Sequence, residues 1–231
     1  MRWLRRWWFW SLDSWVGAIW QVRYPLRPGE PDSLASGSGA PVLVIPGVYE
    51  GWQYMLHIGR RLHDAGHPVH VLHELGRNRG RIPDAAALAQ RYLEQHDLRG
   101  VVIVAHSKGG LIGKHMMAMD DTGHRIDRMV AIATPFSGSR LARYSPVRTL
   151  RVFRPGSATL ALLTANAAIN ARITSIYSEF DPVIPASSRL DGATNVVVAD
   201  IGHFRILAVP AVLDAIQRAL DPGAAGVPGV R

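Results

Sequence analysis

The stretch Val101–Gly110, VVIVAHSKGG, decides the fold. Val101 to Ala105 is apolar and β-branched on both faces of the period-2 pattern, which suits a strand buried in a parallel sheet rather than one with a wet side. The chain then passes through His106 and Ser107 into Lys108-Gly109-Gly110, where a helical pattern opens. A serine in a strand–turn–helix junction is forced into a tight, strained backbone that lifts its hydroxyl above the end of the sheet. Small residues two before and two after it, Ala105 and Gly109, let the turn and the neighbouring strands pack. Ser107 is therefore the first candidate for a reactive residue.

Outward from this junction the pattern alternates. Val42–Ile45, Val69–Leu72, Met129–Ala133, Ile173–Tyr177 and Val196–Ala199 are further short β-branched runs. Between them, Met55, Leu56, Gly59 and Leu62 share one helical face, as do Ala85, Leu88, Ala89, Tyr92 and Leu93. A third helix is predicted over 108–119. A last one should open at Pro210, a favoured first-turn residue, and bury Val212, Leu213, Ile216 and Leu220. Alternating strands and helices give an α/β fold: a mostly parallel sheet of about six strands, covered on both faces. The globular unit is read as 41–221, and the one sizeable insertion before a strand, Ser137 to Ala171, as a lid or acyl-pocket wall.

The chain has 231 residues, no cysteine and a formal net charge of +8. It can bury a substantial core, but no disulfide framework, zinc-thiolate site or cysteine nucleophile can be built. No apolar run approaches the roughly 18–20 residues that span a bilayer. Arg2, Arg5, Arg6, Arg23 and Arg27 against Asp13 place half of the charge excess in residues 1–27, and the remainder reads as diluted, with no dense basic stripe. No nucleic-acid partner is expected from that distribution. Six of the seven tryptophans fall in the first 20 residues, interleaved with arginine, a composition suited to a membrane–water interface or to packing on protein. Residues 1–27 are thus a candidate membrane-surface segment. The absence of a convincing small-residue cleavage site favours a cytoplasmic or peripheral-membrane location over secretion. Residues 28–40, rich in Pro, Gly and Ser, read as a linker or loose loop, and 222–231 as a disordered tail. Nothing in the pattern specifies an oligomeric state.

A serine hydroxyl needs a base, and the base an orienting carboxylate. Asp181 directly follows the fifth strand and His203 the sixth, so both should emerge at the same sheet edge as Ser107. Glu179 is the reserve acid, while Asp200 is too close to the histidine on the same connection. Donors for an oxyanion are expected from the Lys108 amide at the helix start and from Val48 N–H, since Gly47 lets the loop after the first strand approach substrate. Tyr49, Trp52, Phe136 and Phe204 are candidate pocket residues. His67, His70 and His73 alternate across a strand, so no metal site is predicted, and no cofactor is required.

Taken together, VLVIPGV, AHSKGG, ATPFSGS, FDPVIP and GHF resemble the α/β-hydrolase superfamily, in particular its bacterial lipases and esterases, over roughly 41–220. The resemblance implies a serine hydrolase of ester or lipid substrates working through Ser107, His203 and Asp181. Thioesterases, lipid deacylases and acyltransferases share that triad, and a non-catalytic membrane-associated protein on the same scaffold is the rival of another class. Three positions depart from the family pattern: Ala105 where glycine is usual, Pro46 on the oxyanion loop, and Phe136 where a histidine is common. Lys108 is a fourth, and its cation would favour an anionic substrate or intermediate.

Overall fold

A computed structural model describes residues 31–185 and 187–220; the segment 1–27 and the tail 222–231 lie outside the described residues. Six strands, β1 (Val42–Ile45), β2 (Val69–Val71), β3 (Val101–His106), β4 (Ile126–Ile132), β5 (Ile173–Phe180) and β6 (Thr194–Ile201), form one sheet in the order β2-β1-β3-β4-β5-β6. Every pairing is parallel. Because side chains alternate across a strand, odd and even positions feed different cores. Leu43, Ile45, Ile103, Ala105, Met129 and Ala131 pack beneath helices α2 (Ile82–Gln95) and α3 (Lys108–His115). Val42, Val44, Val102, Val104, Val130 and Ile132 pack beneath α1 (Leu56–Asp64) and, further along the chain, α5 (Pro210–Leu220).

The departures from expectation are local. After His115 the third helix widens for one turn, with Asp121 N–H bonding Met116 O at 2.9 Å, a five-residue spacing that ends regular helix earlier than the apolar pattern does. β6 is an edge strand, and Val197 on it stays 54% exposed, so its apolar run does not mean burial on both sides. The described part of the expected loose loop is docked. Leu34 is buried, and Gly39 N–H donates to Gly66 O at 2.9 Å. The insertion folds into short helical turns at Arg140–Arg143 and Arg148–Phe153 and into helix α4 (Ala158–Ala165), capped by Ser157 Oγ, which accepts from Leu160 N–H.

The close seat of α3 places the Ser107 turn. A Cβ on Gly109 would run into the carbonyl oxygen of Ile45 on β1, and one on Gly110 into the Thr134 side chain. Gly59 on α1 is different, since an added methyl would meet Val69 Cγ1 at 3.4 Å, ordinary contact. Two substitutions of the same kind should therefore differ in sign. Gly109→Ala should cost several kcal/mol, as overpacking against backbone does, and lower Tm by roughly 5–10 °C. Gly59→Ala should gain up to about 1 kcal/mol of helix propensity and raise Tm by a few degrees. Thermal unfolding of the two variants checks both.

Candidate active site

Ser107 is the residue between β3 and α3, with φ 50° and ψ −117°, a left-handed region that a residue with a Cβ enters only under constraint. Its N–H is held by Ile132 O at 2.8 Å. The end of β6 returns His203 to this point: Gly202 N–H bonds Phe180 O at 3.0 Å, and Ser178 Oγ donates to Gly202 O at 3.0 Å. His203 Nε2 lies 3.0 Å from Ser107 Oγ, and its Nδ1 lies 2.7 Å from Asp181 Oδ2. A carboxylate only accepts, so Nδ1 carries the proton, and Nε2 is left to accept from the serine hydroxyl. All three residues are buried.

Asp181 Oδ1 accepts from the N–H groups of Val183 and Ile184 at 2.8 and 2.9 Å. Burial alone would raise its pKa, but the His203 charge and hydrogen bond, with those two amides, hold the carboxyl below its ordinary value. Glu179, the reserve acid, is exposed, and the histidine is engaged by Asp181 instead. Val48 lines the cavity beside Ser107, and the Lys108 amide sits at the first position of α3, where the helix leaves its N–H groups unpaired.

The Lys108 side chain does not face the site, against expectation. Its Nζ turns into the 78–80 loop and donates to Asn78 O, Asn78 Oδ1 and Gly80 O at 2.8, 3.1 and 2.6 Å. Burial pushes its pKa down to about 8. Asn78 Nδ2 in turn donates to Pro46 O at 2.7 Å, so the lysine pins the loop after β1 from behind rather than turning its charge into the site.

The cavity at Ser107 has a volume of about 180 Å³. Its walls are mostly apolar: Val48 and Phe204, Val183 and Ile184 after β5, and Leu141, Ala142, Leu150 and Phe153 from the insertion. The insertion thus supplies a pocket wall. Of the four expected pocket residues only Phe204 lines this cavity. Phe136 is buried in the core, its ring 5.8 Å from Lys114 Nζ, because the turn after β4 points it down onto α3. Trp52 packs edge-on against His73, and Tyr49 lies beneath Arg79.

Two residues of this site escaped the sequence reading. Glu50 and His106 are almost wholly buried. Glu50 Oε2 accepts from Gly47 N–H at 2.6 Å and contacts His106 Nδ1 at 2.9 Å, while His106 Nε2 donates to the backbone oxygen of His203 at 3.0 Å. One buried chain therefore connects the loop after β1, the residue before Ser107 and the backbone of His203. A polar side chain ending a strand that is apolar on both faces was the available signal, since such a group must find partners. Glu50→Leu should leave His106 and Gly47 N–H without their partner and cost about 3–5 kcal/mol. Glu50→Gln, which can still bond both, should lose much less, and denaturant unfolding of the pair separates them.

No family model matches the sequence. Solved structures do match in three dimensions. The mature form of a Bacillus licheniformis lipase superposes with a TM-score of 0.63 at 17% identity, over 84% of this chain and 96% of that one. Lipase B of Aspergillus fumigatus gives 0.65 at 16% identity, over 88% of this chain and 56% of that one. An α/β-hydrolase enzyme from a lagoon-sediment metagenome gives 0.55 at 14% identity, over 82% and 93%. The parallel six-stranded sheet, the strained Ser107 turn and these likenesses agree: the chain has the α/β-hydrolase fold.

Proposed function

We propose that this protein is a serine hydrolase of carboxylic esters with small apolar acyl groups. The observation that carries the reading is the hydrogen-bonded series Ser107–His203–Asp181, at 3.0 and 2.7 Å, of which Ser107 and His203 line an apolar cavity. Ser107 Oγ attacks the ester carbonyl while His203 Nε2 takes its proton. The oxygen that gains charge is received by the Val48 and Lys108 amides. His203 then protonates the leaving alcohol, and an acyl group remains on Ser107. Water, deprotonated by the same nitrogen, attacks that ester and releases the acid. Asp181 holds the imidazole in the tautomer with Nδ1–H and stabilises its charged form; two backbone amides fix the carboxylate against rotation.

Pocket volume narrows the substrate. At about 180 Å³ the cavity falls below the roughly 300–1,000 Å³ of sites that enclose drug-sized ligands, which favours a short acyl chain over a long one. The insertion wall sets that limit, with Leu150 and Phe153 contributing bulk.

Two experiments test the reading. With p-nitrophenyl acetate or butyrate, Ser107→Ala should reduce kcat by about 10⁴–10⁶, and Asp181→Asn by about 10⁴, with both variants folded. Unchanged turnover in purified Ser107→Ala would sink the mechanism. Across a series of p-nitrophenyl esters, kcat/KM should fall as the acyl chain outgrows the cavity. Leu150→Ala should move that fall to longer chains.

A further inference from the structure

Folding gathers arginine that the sequence scatters. The insertion from 137 to 171 contains Arg140, Arg143, Arg148, Arg151 and Arg154 and no acidic residue, and the loop 76–81 adds Arg77, Arg79 and Arg81, again with none. The two segments meet at a groove of about 480 Å³ lined by Arg79, Arg81, Arg148 and Arg151. None of these four is ion-paired among the described residues, and no acidic side chain lines the groove. Four guanidinium groups around one concavity repel one another, so the arrangement favours an anionic partner. Charge that reads as diluted along the sequence is concentrated at this groove into four neighbouring arginines.

Apolar side chains are interleaved with it. Leu141, Tyr144 and Val147 are 50%, 86% and 40% exposed, on the same segment as Arg140, Arg143, Arg148 and Arg151. Leu141 also lines the acyl cavity, so the rim of that cavity belongs to this surface. The helical turn Arg148–Phe153 separates the two concavities: Leu150 and Phe153 face the acyl cavity, and Arg148, Arg151 and Val152 face the basic groove. Arginine alone would suit any polyanion. Arginine mixed with exposed leucine, tyrosine and valine suits a headgroup layer with acyl chains beneath it.

We propose that the arginine groove and the apolar rim of the 140–151 segment dock this protein on an anionic lipid surface, with the rim of the acyl cavity against the headgroups. The proposal draws only on described residues and not on the Trp-rich segment 1–27. It rests on the esterase reading only for what it delivers, namely esters that partition into the headgroup layer.

The test is sedimentation of the full-length chain with phosphatidylcholine vesicles prepared with and without phosphatidylglycerol. Wild type should bind the anionic vesicles and lose them in high salt. Replacing Arg79, Arg81, Arg148 and Arg151 by Gln should weaken that binding about five-fold per residue, ~100-fold or more in all. The same four replaced by Lys should retain it. Tyr144→Ser with Val147→Ser should weaken it by about an order of magnitude, and turnover of soluble p-nitrophenyl acetate should be unchanged throughout. Binding of the Gln variant equal to wild type would overturn the proposal and leave vesicle contact to other parts of the chain. Vesicle binding intact in the Gln variant with loss of binding to an RNA homopolymer would also overturn it, giving the groove to nucleic acid. Vesicle binding as expected with no ester turnover in wild type would overturn the esterase reading and leave the docking surface standing.

Discussion

The N-terminal turn of α3 lies directly against the backbone of β1, with no side chain between them. The carbonyl oxygen of Ile45 occupies the space that a Cβ on Gly109 would need, and Thr134 does the same for Gly110. This contact brings the end of β1, the start of α3 and the turn after β4 to one point. It leaves Ser107 no room to relax from its strained dihedral angles. The loop that continues from Ile45 is then next to the serine by construction. Relieving the contact would move Ser107 and the proposed amide donors, Val48 and Lys108, apart together.

Support for the site comes from polar groups buried around it. Glu50 and His106 tie Gly47 to the backbone of His203, and Lys108 with Asn78 ties Pro46 to the helix that follows the serine. Glu50, His106 and Lys108 are each matched by two or more partners, as desolvated polar groups require. The cavity wall is therefore free to be apolar, and the cationic side chains of the insertion lie on its outer surface.

The fold was legible because two signals coincide in residues 101–110: a run apolar on both faces, then a small-x-Ser-x-Gly turn. The strand ends that carry Asp181 and His203 were legible for the same reason, since parallel strands deliver their C-terminal residues to one edge. The pocket was not. Phe136 and Trp52 look like pocket aromatics in the sequence, but the direction in which a loop turns a side chain is set by tertiary packing. The role of Lys108 was misread because its neighbourhood is built from carbonyls of a loop about 30 residues away, and carbonyl direction leaves no mark on a sequence. The arginine groove leaves no mark on the sequence because its two sides, 79–81 and 148–151, are distant in the chain and meet only after the insertion folds back.

The placement of Lys108 has a chemical consequence. Acyl esters are attacked by amines as well as by water, and an amide formed that way is not undone by the machinery that hydrolyses esters. On the proposed ester hydrolysis, a primary amine one residue from an acylated Ser107 would be a standing route to self-inactivation. Three carbonyl-type oxygens around Nζ each demand an N–H, which favours the ammonium form, and a pKa of about 8 keeps most of it protonated at neutral pH. The ammonium form that predominates presents no lone pair, and its tether to the 78–80 loop directs it away from Ser107. On that reading, the same lysine that secures the loop after β1 is withheld as a competing acyl acceptor.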